Sequence, residues 1–391
     1  MINDPGYEKE LLIRLCNIEF SDKDIERLRT LAGQINDWER FTWLANEHGI
    51  SALAYYNLKA ADCINTIPEK FSSILHNSYL KSLSRNTNLG EKYRELEKLL
   101  VERGIQPVLI KGLSLEKSVY HNRGLRQMND VDFLVKREQA RDAWEYLRTK
   151  GYYHHPLKSG LYKKILPYIG KHMPELIKDG ISFEMHIDAN YREFLSNYHE
   201  MVTNYREFKR IIANWGGGVL EPIVHFVYLV RHLHYHESVK GESQLRLYTD
   251  LVLMLREYKD EIQGAELFET AEDLGLQEVL MEKLLIINRY WKDVLSDTMK
   301  KAIKVSDEKR VLERFDGFLG NPKDNNPSVS KRKVYRENIG HIEGLGRKII
   351  YVMGDIFPSV HFMKNRYGKK TIMGVIFYYF HRLGKVLWLV R

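Results

Sequence analysis

Two aspartates one residue apart, Asp130 and Asp132, carry the first chemical signal in the chain. They lie in Asp130-Val131-Asp132-Phe133-Leu134-Val135, whose alternation predicts a strand. Side chains at i and i+2 share a face, so the two carboxylates stand side by side, roughly 6–7 Å apart at Cα by the rise per residue. Adjacent carboxylates repel, and one keeps its proton unless a cation is present. Mg²⁺ (or Mn²⁺), singly or as a pair roughly 3.5–4 Å apart, resolves that conflict through oxygen ligands. Taken alone, the same spacing also suits a solvated edge strand with two surface aspartates.

A second signal lies just upstream. Pro107 to Ile110 is a short apolar run that ends at Lys111-Gly112, and Leu113 to Tyr120 has helical spacing, with Ser114 in its first turn. A helix N-terminus presents N–H groups and partial positive charge to phosphate. Glycine lets the backbone approach closely, and lysine adds a point charge. Arg126 lies in the polar stretch His121 to Asn129, which reads as a loop ahead of the aspartates. A phosphate cradle joined to a metal pair suits nucleotidyl transfer, in which metal ions bridge phosphates and align an attacking hydroxyl.

The block KGLSLEKSVYHNRGLRQMNDVDFLV resembles the DNA polymerase β-like nucleotidyltransferases. More closely, it is similar to a bacterial family of uncharacterised nucleotidyltransferases, patterned as Lys-Gly, a short helix ending in Tyr, Gly-x-Arg-x-Met and Asp-x-Asp-x-Leu-Val. DWERFTWLANEHGISALAYYNL, FEMHID, RLYTDLVLML and FPSVHFMKNRY extend the likeness over most of the chain. In the wider superfamily Gly-Ser is adjacent, whereas Leu113 separates Gly112 from Ser114 here.

The resemblance implies transfer of an NMP from an NTP to an acceptor, with release of pyrophosphate. It also implies a third carboxylate from a neighbouring strand. Glu184 is the match, as metal ligand or as base, because it stands in the family's Glu-x-His pattern and in an alternating run. In that run, Ile181 to Asp188, Ile181, Phe183, Met185 and Ile187 face one way, and Ser182, Glu184, His186 and Asp188 the other. His186 either contacts the nucleotide or acceptor or is a sheet-surface histidine. Relatives encoded beside peptide-modification or surface-polysaccharide genes make natural-product or surface-polysaccharide synthesis the expected context. The acceptor stays open among a sugar, peptide, protein, small metabolite or RNA end. A catalytically degenerate scaffold that binds a partner or membrane is the competing reading.

The elements that must position these residues read as an α+β, mostly helical protein. Residues 1–104 form a helical N-terminal region, 105–220 a small mixed-sheet nucleotidyltransferase domain, 221–320 a helical region lining the cleft, and 321–391 a linker with a basic, aromatic helical region. Ser21, Asp37 and Ser51 are candidate helix caps, and Gly104 a stop after a long helix from Phe71 to Arg103. Asn190 to Trp215 reads as a helix, and Gly216-Gly217-Gly218 as a hinge or linker without the lysine of a phosphate-binding loop. Pro222 opens an apolar helix carrying His225, His232 and His236 on one face. Arg246 and Asp250, four apart, suit an ion pair on a helix.

Composition narrows the class. The chain has 391 residues, and a hydrophobic share of 44% is enough for a folded core. A net charge of +8 suits NTP, nucleic acid or an anionic membrane, but no arginine-rich, aromatic-interleaved patch favours nucleic acid. Two cysteines, Cys16 and Cys63, form neither a disulfide framework nor a zinc quartet. With no signal-like N-terminus, the expected location is the cytoplasm, with the inner face of the membrane as an alternative. The last helix reads first as packed on the main body and alternatively as lying on an anionic bilayer or a partner.

Overall fold

The computed structural model describes residues 5–170, 172–187, 220–323, 330–368 and 373–390. The expected helix 190–215, the glycine run 216–218 and Asp188 lie outside them. The chain folds as a mostly helical α+β protein with one small mixed sheet. It divides into two compact units assembled from interleaved segments. One comprises Met1–Lys92, Leu109–Asn129 and His199–Ser328, and the other Tyr93–Val108, Asp130–Tyr198 and Val329–Arg391.

The first unit is helical because its apolar residues recur at helical spacing behind good caps. Ser21 starts the helix Asp22–Gln34 with a reciprocal box: its Oγ accepts from the Asp24 N–H, and the Asp24 carboxylate accepts from the Ser21 N–H. The Asp37 carboxylate caps Trp38–Glu47 by accepting from the Arg40 N–H at 2.8 Å. Ser51 departs from expectation. It lies inside the helix Ser51–Ala60, Ile50 occupies the cap position, and the Ser51 side chain makes no cap bond. The helix Pro222–Tyr235 is apolar nearly all round, as a buried helix should be, and it packs against Leu245–Glu257. The expected long helix is present as Glu69–Glu102, followed by Gly104 at φ +74°.

The second unit holds β2, β3 and β4 of a sheet ordered β1-β2-β4-β3. The strands are β1 (Val108–Leu109), β2 (Asp130–Leu134), β3 (Leu176–Lys178) and β4 (Ile181–His186). β2 and β4 run parallel, and β3 runs antiparallel to β4. Val131, Phe133, Phe183 and Met185 are fully buried on one side. There Phe133 meets Tyr93, and Phe183 packs edge-on against Tyr152. The helix Arg137–Thr149 buries Ala140, Ala143, Trp144 and Leu147. The Trp144 indole N–H donates to the Pro174 carbonyl at 2.8 Å. This one-sided apolar layer fixes which side chains of β2 and β4 point the other way.

Candidate active site

Register builds the acidic site. Asp132 stands opposite Glu184, and Leu134 opposite His186, on neighbouring parallel strands. Partners across a sheet are separated by about 4.8 Å, and i and i+2 share a face. Asp132, Glu184 and His186 therefore converge, with one donor atom from each all within 4.8 Å of one another. His186 Nε2 lies 2.8 Å from Asp132 Oδ1 and 3.4 Å from Glu184 Oε2. Asp132 and His186 are buried, and Glu184 is about a quarter exposed. The site is thus closed beneath and open at one carboxylate.

His186 is held from the far side of β4. The His172 ring packs edge-on against it at 5.7 Å, and the Met173 N–H donates to the Met185 carbonyl at 2.8 Å. Asp130 opens β2 opposite Ser182, half-buried, and is not a member of the three-residue cluster. The strand expectation for both aspartates holds, but it is His186 that joins Asp132 and Glu184. Its signal was the alternation in ISFEMHID, which places Glu184 and His186 on one face. What the sequence did not give was the register that sets Asp132 against them.

The donor set fits a hard or borderline divalent cation. Two carboxylate oxygens and one imidazole nitrogen offer it three ligand atoms. Two carboxylates so close repel unless a cation or shared proton lies between them.

The residues expected to hold phosphate belong to the first unit. Lys111 is buried with φ +53°, a left-handed conformation that costs a lysine about 1–2 kcal/mol. Its backbone N–H donates to His225 Nε2 at 3.3 Å. His225 is therefore neutral with its proton on Nδ1, and burial pushes its pKa down to about 4, against the pull of the Asp250 charge. A Cβ on Gly112 would come within 2.5 Å of Met128 Sδ and 3.2 Å of Arg126 Nη1, so any larger residue there must displace the Met128 side chain. Ser114 is buried, and its Oγ has no hydrogen-bond partner among the described residues. The short helix Lys111–Leu115 continues as a π-turn over Glu116–Tyr120 and ends at His121 with φ +51°.

Arg126 was expected to meet developing phosphate charge. The structure gives its guanidinium to Asp250 in two bonds of 2.8 and 2.7 Å, with both residues buried. The Tyr120 hydroxyl donates to the same carboxylate at 2.8 Å. Burial, reinforced by the Asp250 charge, raises the Tyr120 pKa well above its ordinary value. The Arg126 carbonyl accepts from Asn86 Nδ2 at 2.8 Å. The anticipated Arg246–Asp250 pair is replaced by this arrangement. Arg246 instead reaches the Gln127 carbonyl at 3.1 Å and Gln244 Oε1 at 3.0 Å. The partners of Asp250, Tyr120 and His225 lie more than a hundred residues away in the chain, so spacing alone does not display these contacts. Of the other histidines expected to share a face, His232 and His236 meet edge-on at 4.7 Å, and His236 Nδ1 lies 2.9 Å from Glu242 Oε1.

Two carboxylates and an imidazole on neighbouring strands of a small mixed sheet, in a mostly helical chain, define an α+β protein with a site suited to a divalent cation. The chain belongs to the family described as uncharacterised nucleotidyltransferase, whose model matches residues 34–292. The match includes the Lys111 turn, both aspartates, Glu184 and His186, whereas FPSVHFMKNRY falls outside it. Neither a curated relative nor a solved structure matches the chain.

Proposed function

We propose that the protein transfers an NMP from an NTP to an acceptor, using a divalent cation held by Asp132 and Glu184, with His186 at their side and Asp130 at the strand entrance. The observation that carries this reading is the three-residue cluster with donor atoms within 4.8 Å, in a chain of a nucleotidyltransferase family. Mg²⁺ or Mn²⁺ bound there would neutralise phosphate charge and lower the pKa of the attacking group. The acceptor's nucleophilic atom forms a bond to the α-phosphorus as the bond from that phosphorus to the bridging oxygen breaks. Pyrophosphate leaves, and the acceptor's proton passes to a base. Glu184 is the base we assign, because it is the exposed carboxylate of the cluster.

Lys111, Gly112 and Ser114 are assigned to the triphosphate. The support is chemical: a buried lysine on a left-handed turn, a glycine at the helix start and a buried hydroxyl with no hydrogen-bond partner among the described residues. Arg126 takes a positioning part, because Asp250 engages its guanidinium and its carbonyl anchors the loop that leads into β2. Synthesis of a natural product or surface polysaccharide is the context we assign.

The test incubates the full chain with α-labelled NTPs, Mg²⁺ or Mn²⁺, and panels of sugar, peptide and metabolite acceptors. Label transfer that falls by at least about 10² in Asp132→Asn and Glu184→Gln, with folding retained, supports the reading. Equal transfer by wild type and both variants overturns it.

A further inference from the structure

The positive charge of this protein is concentrated at one end of the chain. Residues 330–391 hold thirteen Lys/Arg against three Asp/Glu, whereas residues 1–329 hold 47 against 49. Among the described residues, the same segment carries most of the exposed large apolar side chains. On the helix Met373–Val390 these form a stripe: Ile376, Phe380, Leu383 and Leu387 at steps of four, three and four, flanked by Phe377 and Trp388. Phe377 is 72% exposed, Phe380 70% and Trp388 58%.

The opposite stripe of this helix is spent inside its own unit. Val375, Arg382 and Val386 are buried there. Tyr379 O–H donates to the Pro358 carbonyl at 3.0 Å, and Arg382 Nε donates to the Asp355 carbonyl at 2.8 Å. Asp355 is fixed in turn by Tyr162 O–H at 2.6 Å and by Lys158. The helix is thus anchored on one face and apolar on the other. The neighbouring helix Leu345–Ile356 repeats the pattern, with Leu345, Ile349 and Met353 exposed at steps of four. Exposed basic residues accompany both helices, among them Lys333, Arg336, Arg366 and Lys385.

Among the described residues, no helix is long and apolar enough to cross a membrane. An anchored helix with a bulky apolar face and a strongly basic surround instead suits the plane of an interface, with rings in the acyl boundary and lysines and arginines against anionic headgroups. We infer that the helices Leu345–Ile356 and Met373–Val390 bind an anionic bilayer surface, chiefly through Phe377, Phe380 and Trp388. The charge imbalance decides for lipid over a second copy of this chain, whose matching segment carries the same excess of positive charge and would repel it.

The test sediments the full chain with vesicles of phosphatidylglycerol and phosphatidylcholine mixed, and with vesicles of phosphatidylcholine alone. Binding to the anionic vesicles should exceed binding to the neutral ones by at least about tenfold and weaken as salt rises. Phe377→Asp/Phe380→Asp should abolish it without lowering the melting temperature, since both rings face solvent. Lys385→Glu/Arg366→Glu should weaken it while leaving the apolar stripe intact. Equal binding to both vesicle types, no binding at all, or full binding by Phe377→Asp/Phe380→Asp would each overturn the inference. So would self-association that the same double variant abolishes in the absence of vesicle binding.

Discussion

At the scale of single residues, the proposed chemistry rests on Asp132 more than on Asp130. Both aspartates lie on the strand that was expected, yet Asp132 alone shares the cluster with Glu184 and His186. Asp130→Asn should therefore cost less label transfer than Asp132→Asn, and a side-by-side rate measurement checks the order. His186→Gln removes the imidazole nitrogen while keeping a polar side chain. It should weaken Mn²⁺ binding about 10- to 100-fold, a range typical of groups that orient and tune metal ligands, and calorimetric titration measures it. The residue types were legible in the sequence because alternation in β2 and β4 is clean. Their grouping was not, because a shift of register would have set Asp132 against a different face and only the folded sheet fixes it.

At the scale of elements, the loop His121–Asn129 is held by packing as tightly as by hydrogen bonds. A Cβ on Gly124 would lie 2.3 Å from the Tyr79 ring, which is rigid. Gly124→Ala should destabilise by about 1–3 kcal/mol, and Tyr79→Leu in the same chain should recover part of that loss in urea unfolding. The Arg126–Asp250 pair is a second clamp. Removing either partner strands a buried charge and should cost about 3–5 kcal/mol, whereas Arg126→Met/Asp250→Leu should cost less than the sum of the single changes. The helices, two of the three expected caps and the sheet alternation follow from short-range signals that a sequence displays. The clamp joins residues 124 apart, so spacing along the chain does not display it.

At the scale of the whole molecule, buried neutral histidines set an acid limit. Burial pushes His48, His225 and His234 down to about 4 from an ordinary 6.5. Between those values the unfolded chain takes up protons that the folded chain refuses. Stability is therefore fully present above pH 6.5 and falls as pH drops towards 4, by at most about 1.4 kcal/mol per pH unit for each histidine. Urea midpoints at pH 7 and pH 5 should differ in that direction, and His225→Gln should flatten the slope. The mostly helical α+β class was readable from composition and periodicity. The interleaving of segments in the two units was not, since each unit draws on stretches from both halves of the chain.

The most direct measurement is an electron paramagnetic resonance titration of free Mn²⁺ against wild type and Asp132→Asn/Glu184→Gln, each confirmed folded. One class of site should take Mn²⁺ from solution in wild type and vanish in the double variant. Uptake that is the same in both proteins would contradict it.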